Sequence, residues 1–258
     1  MTGVQTCALP ICFGFLTGAA TNGAIRNGDR VARRDELGDL TYKELDQRSN
    51  ALANAWRQRG LEAGDGVAIL VRNHRGFLDS VFAAAKCGAK IVLLNTSLAG
   101  AQIREVAGRE GTDLLVYDDE YAEMLEGVES PHGRFRAWAD EGVTDDADTL
   151  EKLIEAGSTE PPSKPKVGPR IVILTSGTTG TPKGAPRSEP KSLSIIGGLH
   201  GKVPFRARET TELCVPMFHA LGFALMALSL ALGSTLVVRR HFDPEVTLDT
   251  CRTTRPRH

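Results

Sequence analysis

The chain lacks a surplus of charge of either sign. Its 31 Lys and Arg are matched by 32 Asp and Glu, for a formal net charge of −1. A protein that neutralises many phosphates needs a basic excess, so there is no electrostatic case for a nucleic-acid partner. The short arginine-rich end from Arg252 to His258 does not change that balance. Cysteine is also sparse. The five residues stand at positions 7, 12, 87, 214 and 251, without the paired spacing of a metal site. A disulfide framework is not expected, and a reducing, cytoplasmic setting is. No internal repeat is present, and no secretory signal either. Residues 1–11 have no basic leading segment, and their apolar run is short.

Long apolar runs are nearly absent. The exception is Ala220–Val238, nineteen residues without a charge, which by length alone could cross a bilayer. Gly233-Ser234 divides it into an apolar helix and a β-branched strand, Thr235-Leu236-Val237-Val238. A buried helix and strand are therefore expected, with no transmembrane span.

A sizeable core can be built from 258 residues of which 41% are apolar. Thr41 and Glu44 have the spacing of a capping box at the start of a helix. Tyr42, Leu45, Leu52, Ala55 and Trp56 then give that helix one apolar stripe, and Gly60 ends it. A strand follows over Val67–Val71. A second helix runs from Phe77 to Cys87 and stops at Gly88, and a strand covers Ile91–Leu94. A third helix spans Ala101–Arg109, with a strand at Leu114–Tyr117. Strands alternating with helices predict an α/β fold of layered βαβ units with mostly parallel sheets. The proline-rich stretch 157–169 reads as an extended, exposed connector within one domain. Lys191–Lys202 has weak helical character, Glu212–Val215 reads as a strand, and Phe242–Glu245 opens a last helix whose apolar pattern stops near residue 250.

The most informative segment is Thr175-Ser176-Gly177-Thr178-Thr179-Gly180-Thr181-Pro182-Lys183-Gly184, which follows the apolar strand Ile171–Leu174. Glycine admits close approach of the backbone, and consecutive N–H groups and hydroxyls can surround phosphate oxygens while a lysine adds a point charge. The P-loop of ordinary NTPases is the obvious rival. Counted from Gly177, Lys183 falls in its place, but Pro182 stands where the second glycine belongs and Gly184 where the Mg²⁺-binding hydroxyl belongs. Proline removes a needed N–H. Pro186 and Pro190 also discourage a helix directly after the loop.

Residues 175–184 do resemble, at every position, the pattern [STG]-[ST]-G-[ST]-[ST]-G-x-P-K-G of adenylate-forming enzymes, the acyl-CoA synthetase superfamily. TYKELDQRSNALANAWRQRGLEAGDGVAIL, FAAAKCGAKIVLLNTSL and Pro216-Met217-Phe218-His219-Ala220-Leu221-Gly222, a P-x-F-H-x-x-G string, are similar to segments of the same family, most like a fatty-acyl-CoA synthetase. The resemblance runs with gaps from about residue 30 to about residue 249.

The resemblance implies the N-terminal part of the family's large domain and activation of a fatty acid by ATP to acyl-AMP, then acyl-CoA. Its cofactors and small-molecule partners are ATP, Mg²⁺, coenzyme A and the carboxylate. Peripheral contact with a membrane surface stays open. Thr175, Ser176, Gly177, Thr178, Thr179, Gly180, Thr181, Lys183 and Gly184 become phosphate-binding positions. Thr175 lies near Mg²⁺, and Lys183 is the catalytic group that stabilises the leaving pyrophosphate. Phe218 and His219 border the acyl pocket. An aryl-acid or amino-acid-adenylating enzyme, or a non-catalytic nucleotide-binding fragment, remains the alternative.

Both ends depart from the family. Residues 1–11 resemble a translated sequencing-library adapter, so 1–12 is expected to be a non-native leader. Residues 13–250 then form a partial AMP-binding domain, and 251–258 a frameshifted or truncated tail. The Y-G-x-T-E segment, the ribose-binding aspartate and the C-terminal domain with its lysine do not occur in the sequence. The chain is thus expected to be an inactive fragment.

Overall fold

A helix begins at Thr41 in the computed structural model, which describes residues 15–140, 143, 146–175, 183–188 and 206–253. The Thr41 hydroxyl accepts from the Glu44 amide at 3.2 Å, and the Glu44 carboxylate accepts from the Thr41 amide at 2.7 Å. The reciprocal cap satisfies donors that the first turn would otherwise leave open. Helix α1 (Phe15–Asn27), strands β1 (Val31–Asp35) and β2 (Gly38–Thr41) and helix α2 (Tyr42–Gln58) open the chain. The expected stripe from Tyr42 to Trp56 is buried, and Gly60 follows the helix at φ +96°.

Strand and helix then alternate: β3 (Gly66–Leu70), α3 (Arg75–Cys87), β4 (Lys90–Leu93), α4 (Gly100–Glu110), β5 (Leu114–Asp118). Next come β6 (Arg134–Trp138), α5 (Leu150–Ala156), β7 (Arg170–Thr175) and β8 (Lys183–Ser188). The described chain closes with β9 (Thr210–Glu212), α6 (Ala220–Ala231), β10 (Thr235–Val237) and α7 (Pro244–Thr253). One sheet has the order β6-β5-β3-β4-β7-β8 and is parallel except for β8. The other has the order β2-β1-β10-β9 and is parallel except for β2.

The strands of the larger sheet sort their side chains by the two-residue period of an extended chain. Val67, Ile69, Ile91, Leu93, Leu114, Val116, Ile171 and Ile173 join the core made with α1, α2, α3 and α6. Ala68, Leu70, Val92, Leu94, Leu115, Tyr117, Val172 and Leu174 join the core made with Ile103 and Val106 of α4. A parallel sheet covered on both faces explains why these strands read as continuous apolar runs.

Three expectations are refined. The strand expected over Glu212–Val215 occupies Thr210–Glu212. The Leu213 amide still donates to Val237 O at 2.9 Å, but Val215 O turns to Asn73 and Pro216 has no N–H to continue the ladder. The last helix continues to Thr253 although none of its residues is buried. The connector 157–169 has no regular structure, yet it is fastened to α2. Asn54 Nδ2 donates to Ser158 O at 2.8 Å and to Glu160 O at 2.9 Å, and Arg57 Nη1 donates to Ser163 O at 2.8 Å. Lys191–Lys202 lies outside the described residues. Ala220–Val238 is a helix, a turn and a strand as expected. Among the described residues, no helix is long and apolar enough to cross a membrane.

Candidate active site

The parallel pairing brings the carboxyl ends of β3, β4, β5 and β7 to one end of the larger sheet. The chain leaves β3 toward β4 on one side, whereas β5 lies on its other side and continues to β6. Ligands of open α/β sheets bind outside strand ends at such a reversal. A cavity of about 220 Å³ opens there, lined by Arg72 and Asn73 after β3, Phe218 before α6, Glu212 at the end of β9, and Arg239 and Arg240 after β10. It therefore lies between the carboxyl ends of both sheets.

One carboxylate fixes the turn after β3. Asp118 Oδ2 accepts from the Arg72 amide at 2.9 Å, and Asp118 Oδ1 lies 2.8 Å from His74 Nε2. His74 Nδ1 accepts from the Gly76 amide at 3.1 Å, which assigns the ring proton to Nε2. Both side chains are fully buried. Between these anchors, Asn73 reaches across to the other sheet's connection. Its Nδ2 donates to Val215 O at 2.9 Å, and its Oδ1 accepts from the Met217 amide at 2.8 Å.

The P-x-F-H-x-x-G string has a local reason. Pro216 O accepts from the His219 amide at 3.1 Å, and His219 is the N-cap of α6. A Cβ on Gly222 would meet Pro216 O at 2.1 Å, so the first turn of α6 approaches too closely for any side chain there. Phe218 is buried and lines the cavity. His219 is exposed, its ring tilted 51° to that of Phe218 with centroids 4.4 Å apart.

Arginines dominate the cavity wall, but each has an acidic partner. Arg72 pairs with Glu120 at 2.7 Å, Arg240 bridges Glu120 and Asp140 at 2.9 Å each, and Arg239 reaches Glu212 at 3.3 Å. Arg240 also lies 4.5 Å over the Trp138 ring. The Arg72 hydrogen bond holds the Glu120 carboxyl below its ordinary range, whereas burial raises that of Glu212 against the pull of Arg239. Among the described residues, Glu212 Oε2 and Arg240 Nε are buried without a hydrogen-bond partner.

Of the phosphate-loop positions, Ser176, Gly177, Thr178, Thr179, Gly180 and Thr181 lie outside the described residues. For Thr175, Lys183 and Gly184 the backbone is placed. β7 and β8 form an antiparallel hairpin in which Thr175 stands opposite Lys183 and Leu174 opposite Gly184. The hydroxyl-rich run stands in the sequence between two paired strands, and a strand follows it where an NTPase P-loop has a helix. Sequence reasoning missed Arg72, Asn73, Asp118 and Arg240. Their only signal was a place just after apolar strands, where α/β proteins put their sites.

Comparison with known proteins gives consistent findings. A family model described as AMP-binding enzyme matches residues 21–258. A feruloyl-CoA synthase from Amycolatopsis sp. is 30% identical over 213 residues, covering 81% of this chain and 40% of that protein. The long-chain-fatty-acid–CoA ligase FadD13 of Mycobacterium tuberculosis is 29% identical over 209 residues, covering 79% of this chain and 40% of the ligase. The structure of o-succinylbenzoate CoA synthetase from Bacillus subtilis with its acyl-adenylate intermediate matches with TM-score 0.74 at 20% identity, over 92% of this chain and 59% of that one. That likeness speaks for the fold alone. The chain spans 40% of the length of each of the two sequence relatives.

Proposed function

The chain belongs to the AMP-binding enzymes, and from that premise we propose that it is the part of a fatty-acyl-CoA synthetase that takes up ATP and the carboxylate. In the complete protein a carboxylate oxygen attacks the α-phosphorus of ATP, and the bond to pyrophosphate breaks to leave acyl-AMP. The thiolate of coenzyme A then attacks the acyl carbon, and AMP departs. Ser176, Thr178, Thr179 and the amides of Gly177, Gly180 and Gly184 hold the β- and γ-phosphates. Lys183 offsets the charge that builds on the leaving pyrophosphate. Mg²⁺ would be brought by the nucleotide, and Thr175 would stand near it to help offset phosphate charge. That suits an ion usually bound through substrate phosphates and few protein oxygens. Phe218 and His219 border the acyl group.

The observation that carries this reading is the β7–β8 hairpin. Thr175 and Lys183, which bracket the hydroxyl-rich run, pair in register at the same end of the sheet as the cavity lined by Phe218. Likeness to a long-chain-fatty-acid–CoA ligase supports a fatty acid as substrate. The similar likeness to a feruloyl-CoA synthase keeps an aryl acid as the second reading. The same proposal takes 13–250 as a partial AMP-binding domain in a cytoplasmic protein, and holds that this chain alone does not complete ligation.

Titration of the purified chain with MgATP, palmitate and ferulate, wild type beside Lys183→Ala, tests the assignment. Wild type should bind palmitate in preference to ferulate. Lys183→Ala should weaken MgATP binding about tenfold, the loss of one charge-assisted contact, at an unchanged melting temperature. Preference for ferulate transfers the site to the aryl-acid reading. A folded chain that binds neither acid and no nucleotide refutes the function.

A further inference from the structure

Asn73 makes the only side-chain clamp among the described hydrogen bonds to the segment that carries Phe218 and His219. Its amide behaves like a short piece of β-strand. The Nδ2 donor takes the carbonyl before Pro216, at Val215, and the Oδ1 acceptor takes the amide after it, at Met217. Proline contributes no donor of its own, so this is how the segment's backbone is satisfied on both sides of Pro216. The clamp joins residues 142 and 144 positions apart in sequence. Its base does not drift, because Asp118 holds the Arg72 amide on one side of Asn73 and the buried His74 ring on the other. Its far end does not drift either. Pro216 O is taken by the His219 amide, and Gly222 packs against the same carbonyl.

A continuous rigid path therefore runs from β5 through residues 72–74 to the backbone of 215–217, and from there to Phe218 at the cavity wall. We propose that Asn73 is the positioning residue of the carboxylate pocket, fixing Phe218 and His219 relative to the hairpin mouth and thereby setting acid affinity while leaving nucleotide affinity alone. This rests on the carboxylate-activating reading above. Asn73 also lines the cavity, but its amide is committed to the two backbone partners. It acts through the segment it holds. A pocket preorganised by such supporting bonds loses affinity when the support loosens, even with every contacting side chain still present.

The test uses the full chain, as wild type, Asn73→Ala and Asn73→Asp, with palmitate affinity, MgATP affinity and hydrogen exchange of the Met217 amide as readouts. Asn73→Ala removes both clamp bonds. It should speed Met217 exchange and weaken palmitate binding, each about tenfold, while MgATP affinity stays within about twofold. Asn73→Asp keeps the acceptor for Met217 and loses the donor for Val215, so it should keep most of the Met217 protection and recover part of the palmitate affinity. Unchanged Met217 exchange in Asn73→Ala overturns the clamp. Faster exchange with palmitate and MgATP affinities falling together, or neither falling, reduces Asn73 to a structural residue and overturns the positioning role. If wild type binds MgATP but no acid, the carboxylate reading fails first, and the positioning role fails with it.

Discussion

One methyl group at Gly222 should loosen α6. An added Cβ would lie 2.1 Å from Pro216 O, 2.7 Å from Pro216 C and 3.2 Å from Met217 Cα. All three are backbone atoms, so no flexible side chain can swing away, and the helix and the 216–217 segment must separate until the 2.1 Å approach reaches the 3.4 Å of ordinary contact. Overpacking of this kind costs about 1–3 kcal/mol. Alanine's better helix propensity returns about 1 kcal/mol of that. The net should be a destabilisation of about 1 kcal/mol or somewhat more, or a melting temperature lower by roughly 2–6 °C for a chain of this size. Gly108 provides the control. It is exposed in α4, and a Cβ there meets nothing within 4 Å. Gly108→Ala should therefore stabilise by about 0.5–1 kcal/mol through backbone entropy and propensity alone. Thermal unfolding of the two variants beside wild type reads the difference. Shifts of opposite sign support the close approach of α6 to Pro216. A Gly222→Ala protein that melts at or above wild type refutes it, and with it the reason given for the glycine of the P-x-F-H-x-x-G string.

Two further predictions concern buried charge. Arg48 donates to Asp79 Oδ2 through Nε at 3.0 Å and Nη2 at 2.7 Å, and Asp79 is fully buried. Arg48→Met strands that carboxylate and should cost about 3–5 kcal/mol in urea unfolding, whereas adding Asp79→Leu should restore much of the loss; an unrecovered double variant would show that packing, not charge, is at stake. Asp35 is buried, which alone would raise its pKa, but hydrogen bonds and charge from Arg75 and Arg33 outweigh burial and hold it at about 2, below its ordinary 3.8. A depressed carboxyl pKa stabilises the fold above pH 4 and is lost as pH falls toward 2, a contribution of about 2 kcal/mol. Asp35→Asn should flatten the dependence of stability on pH across that window, and an unaltered slope would count against the assignment.

Helices α2, α3, α4, α6 and α7 and the central strands were legible because their signals are local. The capping box, the stripe of α2 and the glycines at 60 and 88 each act within a few residues. The apolar runs of β3, β4, β5 and β7 mark strands buried on both faces. Helices α1 and α5 and strands β1, β2, β6 and β8 escaped notice, and β1 shows why: its Val-Ala-Arg-Arg-Asp does not resemble a core strand. Arg33 is nonetheless fully buried, because Asp35 of the same strand accepts from it and Arg75 of α3 completes the cluster. A buried charge is tolerable only with its partner present; Asp35 lies within the same sequence window, but nothing there shows that Arg75 of α3 shares its carboxylate or that the fold closes over the pair. The strand after Thr210 was misplaced for a similar reason. Whether Leu213–Val215 stays in the ladder depends on a side chain from residue 73.

By itself the sequence determined the family, the α/β class and the phosphate-loop candidates, since ten contiguous residues and the 3.6- and 2-residue periods survive in one dimension. Only the tertiary structure decided that Thr175 and Lys183 pair across a hairpin mouth, that Asp118 steadies the turn after β3, and that Asn73 holds the segment bearing Phe218. The last two contacts join residues 46 and 144 positions apart in the chain, which only the strand order brings together. Hydrogen bonds and ion pairs act over a few ångströms of space, whatever the separation in sequence.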